Sequence, residues 1–448
     1  MQSQTFDIQL EKFTYGGDAM GRLPSGRAVF VPFGLPGERV RIRLVEEKKN
    51  FARGELLEVL EPSPERILPK CKHFFSPLHD IPGVENGLGR RVEPVETVKG
   101  CGGCHYQHLP YEAQLRAKTE ILRDQLQRIG KIKDPPIQPM VACPNPWNYR
   151  NHVQFHLTRE GKLGYVSALT PGPFTSGRGE HVLAITECHL PEPSIDELWP
   201  QLEFEPEPPF ERVSLRTGVD DDLMLILESD DLEAPELELE SGISVVHLTE
   251  DDALVMAGED YIFMQVLDRS FYVSAGSFFQ VNTIMAEKMV QHLLDRLPLP
   301  ARTILDVYCG VGLFSAFLAP KGERLIGIES SSAACEDFAI NLDEFDHVEL
   351  YEGAAEDVIP ALVGRIGNPP HEQPIVLIDP PRAGVDKHAL DGIRALAPQV
   401  IAYVSCDPST LARDAARLIA GGYRLLDVTP FDMFPQTYHI ESISLFER

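Results

Sequence analysis

Two side chains of this sequence could carry out covalent chemistry together, Cys406 and Glu441. Cys406 follows the apolar, β-branched run of residues 400–404, and the Asp-Pro-Ser sequence after it is typical of a helix start. A thiol there lies next to a helix N-terminus, whose dipole favours the nucleophilic thiolate. A buried structural cysteine is the alternative. Glu441 interrupts an apolar segment, so it is either a solvated acid at a strand edge or, beside Cys406, a general base whose pKa is raised by burial.

Residues 305–313 form a glycine-rich turn that predicts a cofactor site. Tyr308, Gly310 and Gly312 lie in the sequence Leu-Asp-Val-Tyr-Cys-Gly-Val-Gly-Leu, between a predicted strand and a predicted helix. Glycines in such a turn let the backbone approach a ligand closely. Glu329 ends the next predicted strand, where an acid commonly holds ribose hydroxyls. The D-x-x-C-G-x-G form is typical of an S-adenosylmethionine (SAM) site, and a glycine turn without a ligand is the alternative.

Asp379 begins the sequence Asp-Pro-Pro-Arg-Ala-Gly, which ends the fourth predicted strand of the same region. Its carboxylate could accept hydrogen bonds from a cofactor or from the edge of a base, and the two prolines stiffen the turn. In an α/β context this sequence resembles the acidic motif of nucleic-acid base methyltransferases.

These motifs need a scaffold, and the chain after about residue 275 alternates between strand and helix patterns. The predicted strands are residues 303–307, 324–328, 348–351, 375–378, 400–404, 423–428 and 439–446. This alternation predicts a doubly wound α/β domain. Ligands of such sheets bind at the carboxyl ends of the strands, which is the edge where Asp379 and Cys406 are predicted.

The first 60 residues predict a small, OB-like β-barrel. Strand patterns at residues 6–10, 27–31, 38–45 and 51–60 are separated by glycine and proline turns. Arg39, Arg41 and Arg43 share one face of the third of these strands. That face either contacts the RNA backbone or is an ordinary solvated surface.

The middle of the chain is less regular. Residues 62–104 form a proline-rich loop that ends in Cys101-Gly-Gly-Cys104, and a helix pattern follows at residues 112–129. The Cys-x-x-Cys pair alone is a weak signal that fits zinc equally well. The acidic stretch 203–240 predicts an exposed lobe whose charge run is a solvated surface rather than a site.

Composition limits the classes of function. At 448 residues the chain should form two or three domains, and its net charge of −27 argues against nonspecific coating of nucleic acid. Residues 1–150 nevertheless contain 22 Lys and Arg against 18 Asp and Glu, which is compatible with a locally basic face there. The sequence shows no secretory signal and no apolar run of about 18 residues, so a soluble, cytoplasmic protein is expected. The eight cysteines are then expected to be ligands, catalysts or core residues rather than a disulfide framework.

Taken together, these residues resemble the RNA uracil-5-methyltransferase family, and within it the iron–sulfur, TRAM-domain branch that modifies 23S ribosomal RNA. The likeness extends from the N-terminal barrel to Phe446, and the sequence Ser-Cys-Asp-Pro-Ser-Thr-Leu-Ala-Arg at residues 405–413 is its most specific part. It implies an RNA-binding TRAM barrel (residues 1–62), a central iron–sulfur α+β domain (63–270) and a Rossmann-like SAM-dependent methyltransferase domain (271–448).

The resemblance also implies roles for single residues. Cys406 matches the family nucleophile, which adds to C6 of a flipped-out uracil so that C5 can attack the methyl group of SAM. Glu441 matches the base that then removes the C5 proton. The cofactor contacts of the family match Gln280, Tyr308, Glu329 and Asp379, in addition to the glycines already named. Two positions depart from the family pattern, because Leu313 and Ala354 stand where a polar side chain is often found.

The family binds a [4Fe–4S] cluster through four cysteines, and the resemblance implies that these are Cys71, Cys101, Cys104 and Cys188. The separation of Cys71 from the Cys-x-x-Cys pair is larger than the family usually has. Residues 75–100 are therefore expected to be an insertion that is looped out of the site. Cys143 is the alternative fourth ligand.

The sequence thus predicts a monomer that methylates uracil C5 in structured RNA, without membrane association. The expected substrate is 23S ribosomal RNA, and transfer RNA is the alternative. A cytosine-C5 methyltransferase also uses a cysteine nucleophile, but it usually places that cysteine after a proline, which is not the case for Cys406. A non-catalytic RNA-binding module that has kept the fold is the alternative from another class.

Overall fold

The computed structural model of the chain describes residues 4–75, 100–168, 181–229, 242–249, 252–366 and 373–448. The strands of these residues are β1 (Thr5–Phe13), β2 (Ala19–Arg22), β3 (Ala28–Val31), β4 (Arg39–Glu47), β5 (Phe51–Glu61), β6 (His152–Leu157), β7 (Leu163–Val166), β8 (Val182–Ala184), β9 (Arg212–Thr217), β10 (Leu223–Glu228), β11 (Ser244–Leu248), β12 (Ala253–Ala257), β13 (Tyr261–Val266), β14 (Arg269–Ser274), β15 (Ala301–Val307), β16 (Gly322–Glu329), β17 (Val348–Glu352), β18 (Ile375–Ile378), β19 (Val400–Ser405), β20 (Arg424–Phe431) and β21 (Glu441–Glu447). The α-helices are α1 (Tyr111–Arg128), α2 (Pro193–Leu198), α3 (Thr283–Arg296), α4 (Leu313–Leu318), α5 (Ser332–Asn341), α6 (Ala355–Leu362), α7 (Lys387–Leu396) and α8 (Pro408–Ala420). The strands form a closed barrel, two seven-stranded sheets and one hairpin.

The predicted N-terminal barrel is confirmed. Strands β1 to β5 close in the order β1-β2-β3-β5-β4. Apolar residues such as Ile8, Leu10, Val40 and Ile42 are buried inside it, whereas the residues between them face outward, as period-two alternation requires. Strand β2 was not predicted, because its four residues, Ala-Met-Gly-Arg, are too few to show that alternation.

The arginines of β4 face solvent, but each is paired with an acid on the barrel. Arg39 contacts Glu61 at 3.1 Å, and Arg41 contacts Glu58 at 2.7 Å. Arg43 contacts Glu55 in the same way. Exposed pairs of this kind add little stability. Because these acids neutralise the arginines, the structure favours an ordinary solvated surface over a contact with the RNA backbone on this face.

The central sheet has the order β12-β11-β10-β9-β6-β7-β8. The prediction of an exposed lobe over residues 203–240 is wrong for β9 and β10, which lie inside this sheet; residues 230–241 of that stretch lie outside the described residues. Met224 and Ile226 enter one hydrophobic core and Leu225 and Leu227 another. A strand that is covered on both faces lacks the usual alternation of apolar and polar residues. The acidic residues that flank β10 therefore led to the prediction of an exposed lobe.

The C-terminal sheet has the order β17-β16-β15-β18-β19-β21-β20. Its first five strands in this order are parallel, and β21 is antiparallel to both of its neighbours. Helices α4 and α5 contribute to the core on one face, and α6, α7 and α8 to the core on the other. The doubly wound α/β prediction is confirmed, and the observed strand ends differ from the predicted ones by at most three residues.

The longest described helix, α1, has 18 residues and belongs to the packing of the C-terminal sheet. Leu122 and Leu126 enter the same core as Leu411 and Leu418 of α8. Residues 137 and 141 also pair with the edge strand β20. No helix in the described ranges is long and apolar enough to span a membrane.

The expected insertion at residues 75–100 lies outside the described residues except for its two ends. Those ends are adjacent, because the N–H of Cys101 donates to the carbonyl of His73 at 2.9 Å. A Cβ atom on Gly100 would stand only 2.6 Å from Cβ of Phe75. The cysteines on either side of this segment are therefore brought together by the backbone that flanks it.

Candidate active site

The pairing of β19 with β21 brings Cys406 and Glu441 together. This antiparallel ladder ends with Ser405 opposite Ser442, so one further step in the same register places Cys406 opposite Glu441. Directly opposed residues of antiparallel strands have Cα atoms about 4.5–5.5 Å apart. The strand end, rather than a flexible loop, therefore sets the distance between the two side chains.

Cys406 is further fixed by the start of α8. The Oδ1 atom of Asp407 accepts hydrogen bonds from the N–H groups of Ser409 at 2.8 Å and Thr410 at 3.0 Å, which makes Asp407 the N-cap of that helix. The predicted helix start is confirmed. Cys406 is thus held between the last residue of a buried strand and a capped helix.

The ionisation of Cys406 differs from the sequence-based expectation. Burial raises the pKa of the thiol to about 12, and the carboxylates of Glu441, Asp379 and Asp407 act in the same direction. The guanidinium of Arg382 lowers this pKa. The expected shift towards thiolate at the helix N-terminus is therefore wrong, because the loss of hydration outweighs the helix dipole. The free enzyme holds Cys406 as a thiol at neutral pH.

Glu441 is buried, which excludes its interpretation as a solvated strand-edge acid. Burial is the largest cause that raises the pKa of this carboxyl well above its usual value, and Asp379 raises it further. Arg382 opposes both effects. A carboxylate with a raised pKa binds a proton strongly, which is the property required of a general base.

The glycine-rich turn and the strand ends beside it form a cradle of acids. The carboxylate of Glu329 accepts hydrogen bonds from the N–H groups of Gly310 at 3.0 Å, Ser330 at 2.7 Å and Ser331 at 2.9 Å. Gly310 has a φ of +53°, and the space where its Cβ would stand is open. Tyr308 and Gly312 also have positive φ, so the turn is built from left-handed backbone.

Two further carboxylates face this cradle. Burial raises the pKa of Asp306 and of Asp379 to about 7, and Asp306 and Glu329 contribute to the shift of Asp379. The Oδ2 atom of Asp306 accepts from Oγ of Ser315 at 2.6 Å, whereas its buried Oδ1 has no hydrogen-bond partner among the described residues. An acidic cradle with an open glycine turn suits a cationic cofactor such as SAM.

The other positions matched to cofactor contacts lie at the starts of α3, α4 and α6. Gln280 precedes α3, and its carbonyl accepts from Nδ2 of Asn151 at 3.0 Å, which ties this segment to the central sheet. Leu313 begins α4 and is buried in the hydrophobic core. Ala354 is the N-cap residue of α6 and makes no side-chain bond. Neither of these last two residues supplies a polar side chain.

The structure brings Cys71, Cys101, Cys104 and Cys188 together. Burial is the main cause of the raised pKa values of Cys71, Cys101 and Cys104. Electrostatic effects of the neighbouring thiols raise these pKa values further, which shows that the four side chains lie close to one another. The N–H groups of His73 and Gly103 donate to the sulfur atoms of Cys71 and Cys101, each at 3.4 Å. Among the described residues, no group of three or more His, Cys, Asp or Glu side chains is arranged to hold a metal ion.

Cys143 is not part of this group. Its sulfur donates to the carbonyl of Asn145 at 3.2 Å and accepts from Nδ2 of Asn282 at 3.4 Å. Asn282 is the N-cap of α3, so Cys143 belongs to the packing around that helix. The structure therefore favours Cys188 over Cys143 as the fourth cysteine of the group.

Sequence reasoning missed one residue at the site, Tyr15. It lies on the turn between β1 and β2, and its hydroxyl interacts with the carboxylate of Asp407. Its ring packs edge-on against Tyr438 with the ring centroids 5.9 Å apart. The glycines after Tyr15 indicated a turn, but no pattern linked that turn to a strand end almost 400 residues later.

The sheet order, the acidic cradle and the cysteine at a strand end define the class of SAM-dependent methyltransferases. Residues 228–448 match the family model described as tRNA (Uracil-5-)-methyltransferase, and residues 1–57 match the TRAM domain. The chain is 30% identical to an RNA methyltransferase of Thermosynechococcus vestitus, with 99% of this chain and 98% of the relative covered. It is 32% identical to one of Aquifex aeolicus, with 100% and 99% covered.

The chain belongs to the RNA uracil-5-methyltransferase family and carries an N-terminal TRAM domain. It is an SAM-dependent RNA uracil-5-methyltransferase, which removes the cytosine-C5 and non-catalytic alternatives. Its fold is similar to that of the Pyrococcus abyssi tRNA (uracil-54, C5)-methyltransferase in complex with S-adenosyl-L-homocysteine. The TM-score is 0.68 at 22% identity, with 98% of this chain and 100% of that chain covered.

We expect iodoacetamide to alkylate Cys406 of the free enzyme slowly at pH 7 and faster as the pH rises, because burial holds the thiol protonated. Glu441→Gln should speed alkylation at a given alkaline pH, since it removes a negative charge that raises the pKa of Cys406. Mass spectrometry of the peptide that contains Cys406 measures the rate, and the peptide that contains Cys335 is the internal control. An unchanged pH profile of Cys406 would contradict the proximity of the two groups.

Proposed function

We propose that the chain methylates C5 of a uridine in 23S ribosomal RNA through a covalent bond between Sγ of Cys406 and C6 of the base, with Glu441 as the base that removes the C5 proton. The observation that carries this proposal is the strand register that sets Cys406 opposite the buried Glu441. A reactive pair at the end of a strand, beside an acidic cradle, provides the two groups that the reaction needs at one place.

The residue types fit each step of this chemistry. Uracil C5 is too weak a nucleophile until sulfur adds to C6, which moves electron density onto C5. Cys406 must lose its proton to water as the C–S bond forms, because the partly buried thiol is protonated in the free enzyme. Glu441 must be in its carboxylate form at the last stage: after C5 has been methylated, it takes the C5 proton, the C5–C6 double bond re-forms and Cys406 leaves as a thiolate.

The same proposal assigns the cofactor site. Gln280, Tyr308, Gly310, Gly312, Glu329 and Asp379 would hold SAM, which supplies an electrophilic methyl group when it is bound. The unpartnered oxygen of Asp306 and the open space at Gly310 support this assignment. The backbone of the turn must supply the contacts that Leu313 and Ala354 cannot make through their side chains.

We expect Cys406→Ala to abolish methyl transfer and adduct formation while SAM binding persists. Glu441→Gln should still add to C6 and transfer the methyl group, but the C5 proton stays in place, so turnover should fall by about 10²–10⁴-fold. This variant should accumulate a denaturant-resistant complex that carries label from methyl-labelled SAM. RNA with 5-fluorouridine should trap the wild type in the same way, because fluorine does not leave as a proton. Turnover of Glu441→Gln at the wild-type rate would remove Glu441 from this role.

We also propose that Cys71, Cys101, Cys104 and Cys188 bind one [4Fe–4S] cluster. The electrostatic coupling of the four thiols and the N–H groups directed at sulfur support it, because such hydrogen bonds stabilise thiolates. The four cysteines would hold such a cluster through their thiolates.

The cluster proposal predicts that anaerobically purified protein is brown and contains about four irons per chain. Cys188→Ser should lose the brown colour and the iron, whereas Cys143→Ser should keep both, because Cys143 packs at α3. Metal analysis of the two variants beside the wild type measures this difference. Stoichiometric zinc without iron would overturn the proposal.

The choice of RNA rests on the resemblance to the branch that modifies 23S ribosomal RNA. The matched family model and the Pyrococcus abyssi relative carry tRNA in their names, so tRNA is the second candidate. We expect 5-methyluridine at one site of 23S ribosomal RNA to disappear in cells without the gene and to return with a plasmid copy. Loss from tRNA alone would assign the second candidate. We also propose that the enzyme is a monomer, which its mass in solution tests, and that it is cytoplasmic, which cell fractionation tests. The domain limits predicted above are part of the same proposal.

A further inference from the structure

The turn between β1 and β2 carries Tyr15 and is rigidly built. The N–H of Thr14 donates to the carbonyl of Asp18 at 2.9 Å, and the hydroxyl of Thr14 donates to the same oxygen at 3.0 Å. Gly16 and Gly17 have φ angles of +106° and +91°, which residues with a side chain rarely adopt. The barrel therefore presents Tyr15 from a turn of defined shape.

This turn is packed against the segment that leads to Glu441. A Cβ atom on Gly17 would stand 3.2 Å from Cδ1 of Tyr438 and 3.4 Å from Cβ of His105. The ring of Tyr438 contacts that of Tyr15 at 5.9 Å and that of His105 at 4.6 Å, measured between centroids. Tyr438 is thus clamped between the barrel and the residue that follows the Cys-x-x-Cys pair.

The other end of Tyr15 faces the segment that carries Cys406. Its hydroxyl interacts with the carboxylate of Asp407, the residue after Cys406 and the N-cap of α8. One side chain of the barrel consequently touches both segments, through Asp407 on one side and through Tyr438 on the other. Tyr438 lies three residues before Glu441.

We infer that Tyr15 is a positioning residue for the methylation reaction: it aligns Cys406 with Glu441 by holding Asp407 with its hydroxyl and Tyr438 with its ring. The TRAM barrel is then a structural part of the active site in addition to any contact that it makes with RNA. This inference rests on the proposed roles of Cys406 and Glu441.

The two contacts of Tyr15 can be separated by substitution. Tyr15→Phe keeps the ring against Tyr438 and removes the interaction with Asp407, whereas Tyr15→Ala removes both. Phe51→Ala is the matched control, because Phe51 is an aromatic residue of the same barrel whose ring packs on Phe30 with centroids 5.8 Å apart. Thermal melting of each variant checks that the barrel stays folded.

We expect kcat to fall about tenfold in Tyr15→Phe, which is the usual effect of removing a hydrogen bond to a charged group. The fall should be larger in Tyr15→Ala. KM for RNA and binding of SAM should stay within about twofold of the wild type, because Tyr15 acts on the alignment of the reacting groups. The rate of covalent trapping with 5-fluorouridine RNA should fall in parallel with kcat. Phe51→Ala should leave kcat and the trapping rate unchanged.

A second measurement distinguishes positioning from general support of the fold. The charged groups that act on Cys406 are Glu441, Asp379, Arg382 and Asp407, and Tyr15 interacts with the last of these. Without the Tyr15 hydroxyl, the negative charge of Asp407 is less compensated. The pH profile for alkylation of Cys406 should therefore move to higher pH in Tyr15→Phe and stay in place in Phe51→Ala.

The outcomes separate this inference from the function on which it rests. Wild-type kcat, trapping and pH profile in Tyr15→Phe and Tyr15→Ala would overturn the positioning role while the function stands. A raised KM with unchanged kcat would instead make Tyr15 an RNA contact and would likewise overturn the role. If Cys406→Ala still methylated RNA, the proposed function itself would fail, whatever the Tyr15 variants did.

Discussion

The register between β19 and β21 is the constraint on which the active site depends. Six pairs, from Val400 opposite Glu447 to Ser405 opposite Ser442, lead up to Cys406 and Glu441. A slip of one residue would turn every side chain of one strand to the other face, and one of the two reactive groups with it. Alternate side chains of these buried strands enter two different cores, so such a slip would exchange side chains between the cores and disrupt the close packing of both. The hydrophobic core therefore holds the chemistry in alignment.

Burial at this strand edge has an electrostatic consequence. It raises the pKa values of Asp306, Asp379, Glu441 and Cys406, and neighbouring acids raise all four further. The guanidinium of Arg382 lowers the pKa of both Cys406 and Glu441. A cationic ligand in the acidic cradle would ease the repulsion between the carboxylates. The raised pKa values of the acids at this edge therefore follow first from burial and then from their mutual repulsion.

Much of this arrangement could be predicted from local patterns. The buried parallel strands appear as β-branched runs, and Ile375–Ile378 was predicted without error. Patterns of one segment failed where distant segments decide the outcome. The high pKa of Cys406 depends first on burial and then on Glu441 and Asp379, all of which arise only in the folded sheet, and the helix dipole nearby predicted a shift of the opposite sign. Tyr15 was missed for the same reason, since a turn of the barrel has no local mark of what it packs against.

The hydrogen bond between the backbones of His73 and Cys101 closes a junction between the segments that carry Cys71 and Cys101. This junction affects how such cysteine sites can be recognised in sequences. Because His73 and Cys101 are hydrogen-bonded directly, the length of chain between Cys71 and Cys101 does not set the positions of their sulfur atoms. A consensus pattern with a fixed interval between these cysteines would pass over a chain of this kind, although its thiols meet in space. The same junction offers protein engineers a splice point, where a reporter domain whose own termini are close could be inserted without displacing the cysteines.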